Sequence, residues 1–249
     1  AEFDAQNKQI ITDVVNAFSE QTEYNIEFVW FKDYGKFAAA AENLELDFIY
    51  AFKYELIYDL LSGNKYDPYL MPYLMDTQGL SMCLYVNKES KTKSVSDLKG
   101  KTAFVSWGLA EYYALRKLVP GKPETTLGLI ESSVSGMSSV YSLAMNDTDV
   151  IFISDFTEKF MKMSNPGPVK KISKLTCTEK YPFMPILAAK DTPAELLDKF
   201  RLFFSGADKE ESLKKYRPIF KTYKFKVMSV NRDTYKPVTD VFKEAKKKG

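Results

Sequence analysis

Apolar residues near the start of the chain follow two different spacings. Ile10, Val14 and Phe18 recur every four residues, which is the spacing of one face of an amphipathic helix. Residues 25–31 are rich in β-branched and aromatic side chains, a composition that favours a strand. The elements predicted in this part of the chain are helices at 4–22, 33–43 and 52–61 and strands at 25–31 and 46–51.

From residue 79 onward, short apolar runs alternate with segments of helical spacing. The preceding stretch, 65–77, holds Pro68, Pro72 and three tyrosines, and is predicted to be irregular. Alternating strands and helices are typical of parallel sheets built from right-handed βαβ units. The predicted strands lie at 79–88, 102–106, 126–131, 149–154, 169–177 and 183–189, and the helices at 109–118, 136–145, 156–163, 193–205, 207–216 and 233–247.

The composition excludes several classes of function. The 249 residues are 45% hydrophobic, which is enough for the core of one large domain or two modest ones. Lys and Arg number 35 against 33 Asp and Glu, a balance that does not favour a nucleic-acid partner. The chain has no histidine, which removes Ser-His-Asp and Cys-His hydrolases and histidine-based metal sites. We therefore expect a non-enzymatic protein without a metal or a cofactor.

The two cysteines, Cys83 and Cys177, each lie in or beside an apolar run and share no CxxC motif. This setting favours two packed thiols, and a disulfide between them is the alternative. No segment approaches the ~18 consecutive apolar residues that a membrane span requires. The chain opens with Ala1-Glu2-Phe3-Asp4 and passes directly into a helix, so we expect either a mature or an engineered start.

Three stretches carry a resemblance to a known family. The first, 46–51, brings an acidic residue into a buried strand that precedes an aromatic-bearing helix. The second begins as a strand at 84–88 and continues through 94–106, which contains S-x-x-D-L-K-G-K and a further strand. The third, 185–196, joins a strand to a helix start. In this order the chain resembles the type II solute-binding proteins of ABC importers, closest to the phosphate/phosphonate-type, PhnD-like family.

The resemblance implies an α/β protein with the two-lobe periplasmic binding protein type II fold. Each lobe would be a mostly parallel sheet flanked by helices, and two crossing strands would join the lobes. Lobe one would comprise residues 1–82 and 190–249 and lobe two residues 83–189, with hinges near 80–88 and 183–190.

The resemblance also implies a function and a location. The protein would be a monomeric component of an ABC importer that captures a small molecule in the cleft between the lobes and delivers it to the permease. It would act in the periplasm or on the extracellular face of the bacterial cytoplasmic membrane. Any anchoring would be through an N-terminal lipid outside this chain, as in a lipoprotein.

Two features depart from the family pattern. The family begins with a strand before its first helix, and here only Ala1-Glu2-Phe3 could be the remnant of that strand. Phosphonate binders tend to carry a Ser/Thr-rich run ending in Gly after the strand at 102–106, where this chain has Ser106-Trp107-Gly108. The pattern therefore leaves the ligand open between phosphonate and other small molecules.

Polar residues at the ends of predicted strands in lobe two are candidate ligand contacts. Ligands of open α/β sheets bind outside the carboxyl ends of the strands. Helix amino termini there offer unpaired N–H groups to an anion. Ordinary helix capping is the alternative for the serines and for the aspartate. The candidates are Ser106, Trp107, Gly108, Ser133, Ser135, Gly136 and Asp155.

Aromatic residues at predicted strand ends and helix starts of lobe one form a second candidate set. Such rings can stack on a flat group or hold a cation over their faces, and core packing is the alternative for Tyr50 and Phe52. The two sets together indicate an anionic or zwitterionic ligand, phosphate- or phosphonate-like or aromatic. The aromatic candidates in lobe one are Tyr34, Tyr50, Phe52 and Tyr54.

Two other functions are compatible with the sequence. One is an enzyme on the same fold, similar to the thiamine-pyrimidine synthases, which use histidine and a lysine-bound cofactor. Imine absorbance after addition of pyridoxal phosphate would support it. The other is a sensory or surface lobe that has lost transport, which the absence of neighbouring permease and ATPase genes would favour.

Overall fold

The computed structural model describes residues 2–31, 33–51, 53–106 and 109–248. The α-helices are α1 (Glu2–Thr22), α2 (Tyr34–Glu42), α3 (Tyr54–Ser62), α4 (Leu109–Leu118), α5 (Pro123–Thr126), α6 (Gly136–Met145), α7 (Asp155–Ser164), α8 (Pro166–Val169), α9 (Ala194–Gly206), α10 (Arg217–Tyr223) and α11 (Lys236–Lys248). The strands are β1 (Phe48–Tyr50), β2 (Tyr66–Tyr73), β3 (Gly79–Leu80), β4 (Met82–Asn87), β5 (Thr102–Ser106), β6 (Leu129–Ser133), β7 (Val150–Ser154), β8 (Ile172–Cys177), β9 (Tyr181–Pro182), β10 (Ile186–Ala189) and β11 (Lys226–Ser229). None of the helices in the described ranges has the length and hydropathy of a transmembrane segment.

The chain divides into two compact units, each assembled from three segments. Unit 1 comprises Ala1–Phe52, Asp59–Gln78 and Phe183–Thr234, and unit 2 comprises Lys53–Tyr58, Gly79–Pro182 and Tyr235–Gly249. Two segments of unit 2, 53–58 and 235–249, fall in the predicted lobe one, to which the sequence analysis assigns 1–82 and 190–249. In the structure α11 contacts α4 within unit 2, and Phe242 of α11 stacks on Tyr58 with 5.2 Å between ring centroids.

The sheet of unit 1 has the strand order β1-β10-β2-β11, and every pair in it is antiparallel. The expectation of a mostly parallel sheet in this lobe is therefore wrong. Because β1 and β2 are both antiparallel to β10, they run in the same direction, as a βαβ unit predicts. The later strand β10 lies between them, so they are not neighbours.

Helices α1 and α9 pack their aromatic faces together in the core of unit 1. The ring of Phe18 lies edge-on to those of Phe200 and Phe203, at centroid distances of 5.6 and 5.3 Å. Phe48 of β1 stacks on Phe200 at 4.0 Å. The four-residue apolar spacing predicted for α1 is confirmed, since it places Phe18 in this buried cluster.

Strand β2 overturns the prediction that residues 65–77 are irregular. Proline lacks an N–H group, so a strand tolerates it chiefly at an edge or beside a bulge. The pairing of β10 with β2 shifts register between Ile186 and Leu187, opposite the stretch that contains Pro68. Pro72 lies opposite Val227 of the edge strand β11.

Residues 25–31 are described but belong to none of the strands, so the strand predicted there is wrong. The amide of Ile26 donates to Ser19 Oγ at 3.1 Å rather than to a neighbouring strand. Trp30 is 47% exposed. A strand requires a ladder partner as well as a suitable composition, and among the described residues this segment has no such partner.

The sheet of unit 2 has the order β6-β5-β7-β4-β8. Strand β5 is parallel to both β6 and β7, whereas β4 is antiparallel to β7 and β8. The predicted parallel arrangement therefore holds for the three strands that helices α4 and α6 connect. The core of unit 2 includes Tyr85, Leu143 and Ile151, which are fully buried.

Cys83 and Cys177 form a disulfide, so the interpretation as packed thiols is wrong. The two cysteines are directly opposed in β4 and β8, with 4.1 Å between their Cα atoms. Opposed residues on adjacent antiparallel strands come within bonding reach of each other. The sequence does not reveal this register, because 94 positions separate the two residues.

Candidate functional site

The carboxyl ends of β5, β6 and β7 meet at one edge of the unit 2 sheet. Parallel pairing places Ser106 beside Ser133, and β7 flanks β5 on its other side in the same direction. Strand β4 begins at this edge, with Met82 opposite Ser154. Helices α4, α6 and α7 each begin after one of the three parallel strands. We call this region, from the strand ends Ser106, Ser133 and Ser154 to the starts of α6 and α7, the carboxyl edge of unit 2.

A network of serine hydroxyls holds the start of α6. The Ser135 hydroxyl accepts the Ser138 amide at 3.1 Å, and the Ser138 hydroxyl accepts the Ser135 amide at 3.0 Å. Ser133 donates to the Ser135 carbonyl at 2.9 Å, and the buried Ser139 donates to the Ser133 hydroxyl at 2.6 Å. Ser135 is thus the N-cap of α6, the alternative that the sequence analysis considered for it.

The amides of Gly136 and Met137 remain as donors at the start of α6. The first amides of a helix have no intrahelical acceptor. In the described part of the chain these two have no acceptor elsewhere either. The helix dipole adds about half an elementary positive charge at the same place. Such a helix start is suited to an anion.

Helices α6 and α7 begin side by side. A Cβ atom at Gly136 would lie 3.1 Å from both Oγ1 and Cγ2 of Thr157, in the first turn of α7. The Thr157 amide donates to Ser154 Oγ at 3.1 Å, which caps α7. The absence of a side chain at Gly136 therefore permits two positively polarised helix ends to lie together.

Asp155 is the first residue of α7, and Ser154 rather than Asp155 is its N-cap. One oxygen of the Asp155 carboxylate, Oδ1, accepts the Ser81 amide at 2.8 Å, and the Asp155 amide donates to the Ser81 carbonyl at 2.9 Å. This pair fastens the start of α7 to the segment that leads into β4. It also places the Asp155 carboxylate at the carboxyl edge, where it can pair with a cation or accept a hydrogen bond from a ligand.

A second carboxylate in the first turn of α7 is held by neighbouring cations. Glu158 accepts the hydroxyl of the buried Tyr85 at 2.8 Å, and it forms ion pairs with Lys162 at 2.7 Å and Lys174 at 3.1 Å. Burial opposes the charged form of Glu158, but the hydrogen bonds from Lys162, Tyr85 and Lys174 outweigh it and lower the pKa of the carboxyl group. Glu158 is thus ionised and committed to structural contacts.

Several candidate residues fall at or beyond the limits of the described structure. Trp107, Gly108 and Phe52 lie outside the described residues. Ser106 is described through its backbone pairing with Ser133. The roles predicted for these four residues stay predictions.

Tyr34 and Tyr50 are exposed aromatic residues of unit 1. Tyr34 is 62% exposed, and its hydroxyl lies 3.4 Å from Asp59 Oδ2. Tyr50 ends β1 and is 53% exposed. Trp30, with the ammonium of Lys8 5.1 Å from its ring centroid, is a further exposed aromatic residue that the sequence analysis missed. The rarity of tryptophan could have drawn attention to Trp30, since the chain has only two.

Tyr54 lies in the core of unit 2, not with the aromatic residues of unit 1. It is buried, and its hydroxyl donates to the Pro182 carbonyl at 2.8 Å. Its ring lines a cavity of about 20 Å³ together with Tyr181, Ala114 and Phe242. The walls of this cavity are apolar, so the space is suited to packing rather than to a polar ligand.

No group of three or more metal-ligating side chains lies close enough together, within the described ranges, to hold a metal ion. The chemistry available at the carboxyl edge is therefore that of backbone amides, hydroxyl groups and the Asp155 carboxylate.

The family model described as "ABC transporter, phosphonate, periplasmic substrate-binding protein" matches residues 2–234. No curated protein shows a significant sequence match to the chain.

Solved structures of binding proteins share the fold. A binding protein component of an ABC phosphonate transporter from Pseudomonas aeruginosa is 17% identical, with a TM-score of 0.67 over 95% of this chain and 81% of that one. A protein from Xanthomonas citri bound to ATP is 12% identical, with a TM-score of 0.71 over 95% and 92%. PhnD1 from Prochlorococcus marinus, in complex with methylphosphonate, is 13% identical, with a TM-score of 0.69 over 96% and 93%. These likenesses confirm the predicted α/β fold of type II periplasmic binding proteins.

Proposed function

The chain belongs to the family of phosphonate-type periplasmic substrate-binding proteins of ABC transporters, and we propose on this premise that it captures a small phosphonate- or phosphate-like anion for an importer. The family is periplasmic and non-enzymatic, and its members work with a small-molecule ligand and a permease. We infer that this chain delivers its ligand to a permease, catalyses no reaction and acts as a monomer.

One observation carries the choice of an anion. The starts of α6 and α7 lie together at the carboxyl edge, and the amides of Gly136 and Met137 have no acceptor among the described residues. Two helix dipoles and two free N–H groups attract negative charge without any basic side chain. A phosphonate or phosphate group offers several oxygen acceptors to such donors.

The neighbouring carboxylate favours a ligand that also carries a cation or a donor. Asp155 uses Oδ1 for the Ser81 amide, which leaves Oδ2 to accept from an ammonium or hydroxyl group. A zwitterion with an oxyanion at α6 and an amine at Asp155 would match both features. Tyr34 and Tyr50 stay predictions as contacts to an aromatic or cationic part of the ligand.

The proposal predicts a specific effect of removing one backbone donor. Met137 is the second residue of α6, a position where proline is tolerated because its N–H is not needed within the helix. Met137→Pro removes that N–H, whereas Met137→Ala keeps it. We expect Met137→Pro to weaken the binding of methylphosphonate, 2-aminoethylphosphonate or phosphate at least tenfold by calorimetry. The tenfold loss corresponds to one charge-assisted hydrogen bond, which contributes ~1.5–3 kcal/mol. Met137→Ala keeps the N–H and should therefore bind within about twofold of the unsubstituted protein.

Three outcomes would contradict the proposal. The first is the absence of both a calorimetric signal and a rise in melting temperature with any of these anions. The second is equal weakening by the proline and alanine variants. The third is a preference for neutral solutes over anions. Binding with no neighbouring permease genes would favour the sensory alternative instead.

A further inference from the structure

The end of unit 2 opposite the carboxyl edge carries exposed lysines from three segments. Strand β4 starts at the carboxyl edge and ends at this opposite end, where β8 begins. The lysines lie in the segment after β4, in the turn before β5 and just before β8, and all of them are exposed. We define the basic end of unit 2 as Lys88, Lys91, Lys93, Lys99, Lys170 and Lys171.

Backbone contacts hold these segments against each other. The Lys88 amide donates to the Lys171 carbonyl at 2.8 Å, and Lys93 Nζ donates to the Lys88 carbonyl at 3.2 Å. The fold thus gathers lysines that are far apart in the sequence at one place on the surface.

The charge of the basic end is not neutralised locally. Among the described residues none of its six lysines has a carboxylate within 4.0 Å, whereas Lys224 and Lys226 of unit 1 both pair with Asp76. The neighbouring segments 87–101 and 145–149 contain the acidic residues Glu89, Asp97 and Asp147, and also Asp149, which is neutralised by Lys101 at 3.3 Å. Asp97 already accepts the amides of Lys93 and Ser94. An excess of three positive charges remains.

The same end presents two exposed methionines. Helices α6 and α7 run from the carboxyl edge towards the basic end, and the last turns of both helices lie there. The Asn87 side chain, at the end of β4, donates to the Leu143 carbonyl at 3.3 Å, which fixes the end of α6 beside the lysines. Met145 of α6 is 63% exposed and Met163 of α7 is 52% exposed.

This composition distinguishes a lipid surface from a protein partner. Protein interfaces concentrate their binding energy in Trp, Tyr and Arg, and their cores are enriched in Met but depleted of Lys. Segments 87–101, 145–149 and 163–171 contain no arginine, and the exposed Tyr141 beside them accepts a hydrogen bond from the Asn165 side chain at 2.7 Å. Lysines are instead typical of surfaces that bind the anionic headgroups of a bilayer. Exposed apolar side chains on such a surface are buried shallowly in the headgroup region.

We propose that the basic end of unit 2 binds the surface of an anionic phospholipid bilayer. The lysines contact headgroup phosphates, and Met145 and Met163 reach into the headgroup region. Such binding keeps the carboxyl edge of unit 2 away from the bilayer and free for a ligand. Each unneutralised lysine contributes about a fivefold gain in partitioning, so the expected preference for anionic over neutral vesicles is roughly a hundredfold at low salt.

Vesicle sedimentation tests the proposal with the whole chain. The probes are phosphatidylcholine vesicles with and without about one third phosphatidylglycerol, at about 50 mM and about 500 mM salt. We expect binding to the anionic vesicles at low salt only. Lys170→Glu/Lys171→Glu should lower the affinity more than tenfold, and Met145→Ser/Met163→Ser should lower it severalfold without any change of charge.

A matched control separates the basic end from net charge. Lys180→Glu/Lys236→Glu makes the same change in net charge at exposed positions of unit 2 outside the basic end, and it should alter vesicle binding less than twofold. Equal loss in both lysine variants overturns the proposal, as does the absence of binding by the original chain to anionic vesicles. An acidic protein partner would give this second result. The assay needs no small-molecule ligand, so its outcome is independent of the anion test at α6.

Discussion

Gly136 is the residue that allows the starts of α6 and α7 to approach each other. A methyl group there meets Thr157 Oγ1 and Cγ2 at 3.1 Å, which is closer than ordinary van der Waals contact. We expect Gly136→Ala to push the two helix ends apart, with an overpacking cost of ~1–3 kcal/mol. Anion affinity by calorimetry should fall about fivefold or more.

The matched control for this substitution is Gly206→Ala, because a Cβ atom at Gly206 meets nothing within 4 Å. That variant should leave affinity and melting temperature nearly unchanged. Combining Gly136→Ala with Thr157→Ser removes one of the two close atoms and should recover part of the affinity. Unchanged binding in Gly136→Ala would show that the approach of α6 and α7 does not position the anion.

Some site residues could be predicted from the sequence because their role is local. Ser135 precedes a helical pattern, and capping is decided within four residues. The donors at Gly136 follow from the same pattern. The neighbour Thr157 does not, because it belongs to another helix. The Asp155 contact with Ser81 likewise depends on the antiparallel register of β4 and β7, which no local pattern encodes.

At the scale of elements, α1 is fastened to the turn before α10 through Asp13. Its carboxylate pairs with Lys215 at 2.6 Å and accepts the Tyr216 hydroxyl. These hydrogen bonds lower the pKa of Asp13 from 3.8 to about 2. Because the folded pKa lies below the unfolded one, the stabilisation is complete above about pH 4 and is lost as the pH falls towards 2.

We therefore expect Asp13→Asn to lower the free energy of unfolding at pH 7 by about 1 kcal/mol at most, since Lys215 is largely exposed. The difference between the variant and the original chain should vanish near pH 2. Urea titrations at pH 7, 4 and 2.5 measure this. Glu20→Gln, on the exposed side of the same helix, serves as the control. A difference that is the same at every pH would refute the assignment.

Apolar spacing predicts helices and buried strands more readily than it predicts strands that depend on pairing with distant segments. The spacing that predicts α1 and α6 is a property of one segment. Strand β2 contains two prolines, which locally indicate an irregular segment, and it forms because β10 and β11 pair with it from elsewhere in the chain. Residues 25–31 show the converse, since their strand-like composition has no partner in the described structure.

At the scale of the whole molecule, the Cys83–Cys177 disulfide closes a long loop within unit 2. In the chain-entropy account such a crosslink stabilises by about 2–4 kcal/mol. We expect reduction with a phosphine to lower the melting temperature by roughly 10 °C. The double variant Cys83→Ala/Cys177→Ala should show no response to the reductant. Thiol titration shows when reduction is complete. If the melting curve of the fully reduced protein is unchanged, the expectation is wrong.

The α/β class and family could be recognised from the order of short motifs along the chain. The strand arrangement could not, because it depends on which distant segments insert between neighbours. The parallel group β5, β6 and β7 was predictable since its strands follow one another closely. The antiparallel placement of β10 between β1 and β2 was not, because β10 comes from the last third of the chain.

The packing of α11 on unit 2 has a consequence for how the chain acquires its structure. Tyr58 and its partner Phe242 come from distant parts of the chain, so this part of the core cannot close before α11 has been made. A ribosome-bound fragment lacking the final helix would leave Tyr54 and Tyr58 uncovered. A core closed by so distant a contact is expected to form more slowly than one closed by neighbouring segments.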